Sequence, residues 1–205
     1  MKRLLSVFLL CLVFLSACSS ASPESAVRAF LDAAARDDRA AVENALLLTE
    51  EEKENYFYGL DSEEVAAFLF LQKLSSAFGA YQSAALEKSK IAVKSCVIEE
   101  DLARVTVSGS AVLLDGFVAS LVPKVREEMT LQALNGKDVS VSFALEIVLT
   151  RLIAQNEFPA VQKEWTLELK KKDGEWKILP SPAVTTLCTL DLTSDPDAVF
   201  SAFSE

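Results

Sequence analysis

The sequence predicts an α+β domain in which N-terminal helices pack on a curved antiparallel sheet, with a two-helix insertion between two hairpins. Three observations predict it. Apolar residues recur at helical spacing between residues 22 and 78. The period changes to alternation from Ile91. A second alternating run, residues 165–178, is folded about Asp173-Gly174, a strong hairpin turn.

Taken in order, Ser22 reads as an N-cap, with Pro23 at the first helical position and Glu24 in the first turn, where its charge favours the helix dipole. Ala26, Val27, Phe30, Leu31 and Ala34 share one face, while Arg28, Asp32 and Arg36 alternate in sign at intervals of four. This amphipathic helix ends near Asp37. Asp38 caps a second helix with Ala41, Val42, Ala45 and Leu46 on one side. Thr49 and Glu52 form a capping box for a short, very acidic helix that runs into Tyr56, Phe57 and Tyr58 and stops at Gly59. Asp61 or Ser62 starts the next helix. Its stripe is Val65, Phe68, Leu69, Gln72 and Ser76, widened by Leu71, Leu74 and Phe78, and Gly79 is its expected stop.

From Ile91 the alternation puts Val93 and Val97 on one face of a strand and Cys96 and Ile98 on the other. A turn over residues 99–102 leads to a second strand through Val105, Val107, Gly109 and Ala111. Gly109 inside that strand suggests a bulge or bend, which curves a sheet. After Asp115 and Gly116 come two helical patterns. One uses Val118, Leu121, Val122, Val125 and Met129, with Pro123 kinking it or marking its start, and ends at Asn135-Gly136. The other uses Phe143, Ala144, Ile147, Val148, Leu152 and Ile153 and stops before Pro159. Both read as packed helices, because Glu127, Glu128 and Glu146 do not make the basic polar face of an interfacial helix.

In the last hairpin Trp165, Leu167 and Leu169 alternate with Thr166, Glu168 and Lys170, and Trp176 and Ile178 alternate with Glu175 and Lys177. Both tryptophans are expected on its buried face. Beyond Pro180 and Pro182 lie an apolar segment, Val184 to Leu192, and a tail in which Asp195, Pro196 and residues 199–203 read as one closing helical turn.

Before the domain stands Lys2-Arg3, then an apolar run from Leu4 to Leu15, which is a secretory signal too short to span a bilayer. The order Leu15-Ser16-Ala17-Cys18 resembles the lipobox of bacterial lipoproteins. That resemblance implies that residues 1–17 are a removed signal peptide and that Cys18 is the lipidated mature N-terminus. The alternative is an ordinary cleaved signal with an incidental cysteine. Residues 18–22 then form the anchor and a tether of at most about 14 Å, at about 3.5 Å per residue, and residues 23–205 make one domain with its helical insertion at about 117–156. Ser19 is not the aspartate that retains lipoproteins at an inner membrane. The expected location is therefore the extracytoplasmic face of the cell membrane, or the outer membrane of a Gram-negative host.

Composition narrows the chemistry. Removing Lys2 and Arg3 leaves 18 basic against 30 acidic residues, a mature charge of −12. So acidic a surface, with no basic stripe, opposes nucleic-acid binding, which runs on Lys and Arg releasing counterions. The chain has no histidine, the commonest general base, metal ligand and partner of a nucleophile. With Cys11 in the signal and Cys18 lipidated, Cys96 and Cys188 are the pair available for a disulfide in an export compartment. The alternative is two small apolar residues in strand and core positions. Neither a zinc site nor any cofactor is expected.

The helix over residues 22–37, the short helix after it, the strands and the ending Lys170-Lys171-Lys172-Asp173-Gly174-Glu175-Trp176-Lys177-Ile178 together resemble the cone-like fold of the nuclear transport factor 2-like (cystatin-like) superfamily. In particular they resemble bacterial lipoproteins of unassigned function with a helical insertion between the second and third strands. The resemblance covers most of residues 22–192. It implies a curved sheet wrapped around helices, with a cavity at its mouth, in a family that includes both enzymes and binding modules. Tyr56, Tyr58, Tyr81, Trp165 and Trp176 are the pocket candidates. No acid alternates inward on a strand, since Glu164 and Glu168 fall opposite Trp165. The expectation is a non-catalytic, membrane-anchored domain that binds an unknown protein or a small apolar ligand. The alternatives are a pocket enzyme using carboxylate or tyrosine acid–base chemistry and a structural or regulatory subunit of an envelope complex.

Overall fold

The computed structural model describes residues 22–112, 117–158 and 160–190. The signal, Cys18 and its tether up to Ala21, Asp115-Gly116 and the tail after Leu190 lie outside the described residues. Helix α1 (Pro23–Ala35) opens on the Ser22 cap, whose hydroxyl accepts from the Ser25 N–H at 3.2 Å, and buries Val27, Phe30, Ala33 and Ala34. Asp37 takes a left-handed φ of 51°, and Asp38 caps α2 (Arg39–Ala45). The capping box at Thr49 starts α3 (Glu50–Asn55), and a second one at Asp61 starts α4 (Ser62–Leu74). In α4 the buried residues are Ala67, Phe68 and Leu71, while Leu69 is exposed.

Gly79 does not stop that helix. The chain breaks earlier, at the extended residue Ser75, whose hydroxyl caps a new helix α5 (Ser76–Lys88) with Gly79 in its first turn. Phe78, Tyr81, Gln82, Ala85 and Leu86 form a buried stripe on α5. Burying them outweighs the roughly 1 kcal/mol that a glycine costs inside a helix.

The strands β1 (Lys90–Glu99), β2 (Leu102–Val112), β3 (Ala160–Lys172) and β4 (Glu175–Ile178) form an open antiparallel sheet in the order β1-β2-β3-β4. Between β2 and β3 lie α6 (Phe117–Leu134) and α7 (Val141–Gln155), and α8 (Pro182–Thr189) follows β4. The alternation expected for β1 fails at a register shift between Val93 and Ser95. One extra residue reverses the faces beyond it. Ile91, Val93 and Cys96 therefore share the core side, and Val97 turns outward. Gly109 keeps its register opposite Ile91, and a Cβ built there would stand 1.9 Å from the Lys90 carbonyl oxygen. Its role is a close approach of two backbones; the bulge is on the neighbouring strand.

Helix α6 runs on through Pro123, so the proline does not mark its start, and it ends at Asn135-Gly136 as expected. In α7 the buried line is Ala144, Leu145, Val148, Leu149 and Leu152, leaving Phe143 exposed. The apolar segment after Pro182 is helical. No helix among the described residues is long and apolar enough to cross a membrane.

Two cores result. The first lies between the apolar side of the sheet, including Val105, Val107, Trp165, Leu167, Trp176 and Ile178, and the residues Val27, Phe30, Val42, Leu46, Val184 and Leu187. The second joins α4, α5, α6 and α7 through Phe68, Leu71, Phe78, Tyr81, Leu121, Leu145 and Leu149, and takes in Leu190. Both tryptophans are buried, and the opposite side of the sheet carries the Lys94–Glu164 and Arg104–Glu168 ion pairs.

The two glycines give a matched pair of variants. Gly109→Ala is expected to destabilise the domain by about 2 kcal/mol or more, because a backbone carbonyl must move to admit the methyl group. Gly79→Ala meets nothing within 4 Å and is expected to stabilise by about 0.5 to 1 kcal/mol. Urea unfolding of both variants measures the difference; a neutral Gly109→Ala would mean that β1 and β2 do not pair in this register.

Candidate functional site: an apolar pocket beside Trp165

Where the two cores meet, the packing leaves a pocket of about 100 Å³. Helix α1 supplies Leu31, Asp32, Ala34 and Ala35, and the end of α5 supplies Leu86 and Ser89. Ile91 and Trp165 form the sheet side, and Thr186, Leu187 and Leu190 close it from α8. Trp165 is there because β3 alternates, which sends residues 165, 167 and 169 to the same side. The Lys163 ammonium lies 5.9 Å from the Trp165 ring centroid. The indole N–H is buried without a hydrogen-bond partner. An unpaired buried donor costs about 1 to 3 kcal/mol.

Tyr81 belongs to a second, more open cleft of about 320 Å³, lined by Phe117, Ser120, Lys124, Leu152, Glu157 and Phe158. Its ring stacks on Phe117 at 4.7 Å, and its hydroxyl donates to the Glu157 carbonyl at 3.2 Å. Burial, and then the Glu157 charge, push this phenol up to about 12. It stays neutral at ordinary pH, with its proton committed.

Tyr56, Tyr58 and Trp176 sit in the first core. Tyr58 donates to Asp37 Oδ1 at 2.6 Å, and burial followed by that bond raises its pKa. The Tyr56 hydroxyl is buried without a partner, and burial raises its pKa too. Arg39 donates to the Tyr56 carbonyl, pairs with Glu43 at 2.6 Å and lies 5.0 Å over the Phe57 ring. Both phenols are held inside the protein and neutral.

Cys96 and Cys188 are free thiols in this structure. The Cys96 thiol contacts Glu24 at the start of α1, whereas Cys188 feels Asp37, just past the other end. Those two acids are 13 residues apart along a helix and its cap, roughly 20 Å at 1.5 Å per residue. A disulfide needs Cα atoms within about 7 Å. Cys188 is a buried core residue, and desolvation, then Asp37, raises its pKa. Cys96 is half-buried on the sheet and is raised by desolvation and then by Glu24.

The sequence reading named Trp165 but missed the walls on α5 and α8. The signal was present: Phe78, Tyr81, Gln82, Ala85 and Leu86 recur at helical spacing, obscured by Gly79. Comparison of the chain with protein-family models, with curated proteins and with solved structures finds no match.

Thiol titration of a Cys18→Ala chain lacking residues 1–17 tests the cysteine assignment. Two thiols are expected after unfolding, and only Cys96 is expected to react in the native state. Because the thiolate is the reactive species, raising the pKa moves the reaction of Cys96 to higher pH than for an exposed thiol. Finding no free thiol after unfolding would establish the disulfide instead.

Proposed function

We propose that this chain is a lipid-anchored, extracytoplasmic, non-catalytic binding domain that takes a small apolar ligand, or the apolar end of a larger one, beside Trp165. The largely apolar pocket walled by Trp165, whose buried indole N–H has no hydrogen-bond partner, carries the reading. A pocket of about 100 Å³ has room for only a few carbon atoms, given that about 150 Å³ holds a benzene ring. The ligand group is therefore short and presents one hydrogen-bond acceptor, such as a carbonyl oxygen.

The element order supports a nuclear transport factor 2-like, cone-like arrangement: α1 and α2 cover one side of the sheet, and α6 and α7 stand as the insertion between its second and third strands. The buried phenols favour binding over acid–base chemistry, because each is raised away from the working pH. The Leu15 to Cys18 motif supports the anchor. On this reading the domain stands on the outer face of the cell membrane, or on the outer membrane if the host has one. A second reading, an interaction subunit of an envelope complex, is favoured by Leu131, Leu134, Val139 and Phe143, which stand exposed around the α6–α7 turn.

The anchor is tested by Cys18→Ala, which is expected to release the chain from the membrane fraction and to change its processing; unchanged partition and processing would remove the anchor. The pocket is tested by following the two indole N–H resonances while a medium-chain methyl ketone is added. The Trp165 resonance is expected to move and that of Trp176 to stay, with the response lost in Ala35→Phe, which fills the pocket. A Trp165 resonance that ignores the ketone would count against this site.

A further inference from the structure

The position of the anchor combines with the fold to orient the molecule. Leu31 to Ala35, in the C-terminal half of α1, face Ile91 near the start of β1, against which the helix packs, and Glu24 in its first turn lies near enough to Cys96, further along that strand, to raise the thiol. Helix α1 therefore runs antiparallel to β1. Its N-terminus, where the tether joins, stands at the end of the sheet that carries both hairpin turns. That end exposes apolar side chains: Val97 is 55 %, Ile98 53 % and Leu102 51 % exposed. Val97 and Leu102 border a shallow pocket on the outer side of the sheet, with Arg104 and Glu168 beside it. Ile98 pairs with Ala103 and so projects on the other side. The tip is thus apolar on both sides.

We propose that this end of the sheet is the membrane-facing end, with Val97, Ile98 and Leu102 resting in the lipid interface; the proposal rests on the lipid-anchor reading. Chain length selects the occupant. A tether of at most about 14 Å leaves Ser22, and Cys96 is three residues, about 10 Å, from the turn. The bilayer lies within reach of the tip. The far end of the ten-residue strand β1 stands about 33 Å away, beyond what the tether allows unless the molecule lies flat. The turns at this end carry both signs of charge: Glu99, Glu100, Asp101, Asp173 and Glu175 stand near Lys170, Lys171 and Lys172, with Leu102 paired to Lys170 and the Lys171 N–H donating to the Asp101 carbonyl at 2.8 Å. Apolar insertion, not headgroup attraction, is the driving term, which fits zwitterionic lipid.

Depth-dependent quenching tests this. The full lipidated chain is reconstituted into phosphatidylcholine vesicles with brominated acyl chains, and the wild-type emission of Trp165 and Trp176 is subtracted. Leu102→Trp and Val97→Trp, at exposed positions that tolerate the ring, are each expected to lose about half their emission, as for a group seated 5 to 10 Å into the interface. Val161→Trp, at the opposite end of β3, is expected to lose almost none. Equal quenching at all three, or stronger quenching at Val161→Trp, overturns the orientation and leaves the anchor standing. A wild-type chain that does not partition with membranes, and that Cys18→Ala does not change, removes the anchor and the orientation together.

Discussion

The apolar side of an open four-stranded sheet cannot be left in water, and α1 covers it by lying antiparallel to β1 with Val27 and Phe30 fully buried. Two contacts fix the ends of that helix. At its start the Glu24 carboxylate is held below its ordinary value, first by a backbone hydrogen bond, then by the Ser22 hydroxyl and, more weakly, by Cys96. Past its end, Asp37 turns the chain with a positive φ and accepts the Tyr58 hydroxyl. Once α1 is seated, the rest follows: its first turn stands toward the hairpin turns, the C-terminal half of the helix becomes a pocket wall, and the two cysteines fall at opposite ends. The helix thus ties a local capping signal to the direction in which the whole domain points.

The pocket beside Trp165 has a physical origin in the division of the core. Leu187 and Trp165 belong to the cluster on the sheet, whereas Leu86 and Leu190 belong to the helical cluster. A seam between separately packed clusters is where interdigitation is least complete, and small voids collect there. A void walled by an indole whose buried N–H is unpaired differs from an ordinary packing defect. A purely apolar gap loses only dispersion contacts, whereas an unpaired donor adds an electrostatic cost that an acceptor alone removes.

Much of this was legible in the residues. The caps at Ser22, Asp38 and Thr49, the Asp173-Gly174 hairpin and the burial of Trp165 and Trp176 are local or strictly alternating signals, which neighbours along the chain specify by themselves. What failed was nonlocal. The bulge between Val93 and Ser95 leaves no mark on the alternation of β1, because Lys94 and Ser95 are both polar. Gly109 announced itself as special, but its reason lies in the Lys90 carbonyl on another strand. Gly79 read as a stop because a local rule was applied without the burial that overrides it. The candidate pocket was half legible for the same reason: β3 placed Trp165, but three of its walls come from helices whose approach no periodicity encodes.

In the proposed orientation, membrane contact and ligand access would fall at opposite ends. The pocket is bordered by Ile91 and by Leu31 to Ala35, and the exposed tip lies past Cys96 along the same strand. With the hairpin turns at the bilayer, the pocket opens some 20 Å from it, by the rise of the strand between Ile91 and Val97. On that proposal a ligand would enter from the aqueous compartment, not from the lipid phase. It must then be polar enough to travel in water and apolar enough at one end to fill the seam.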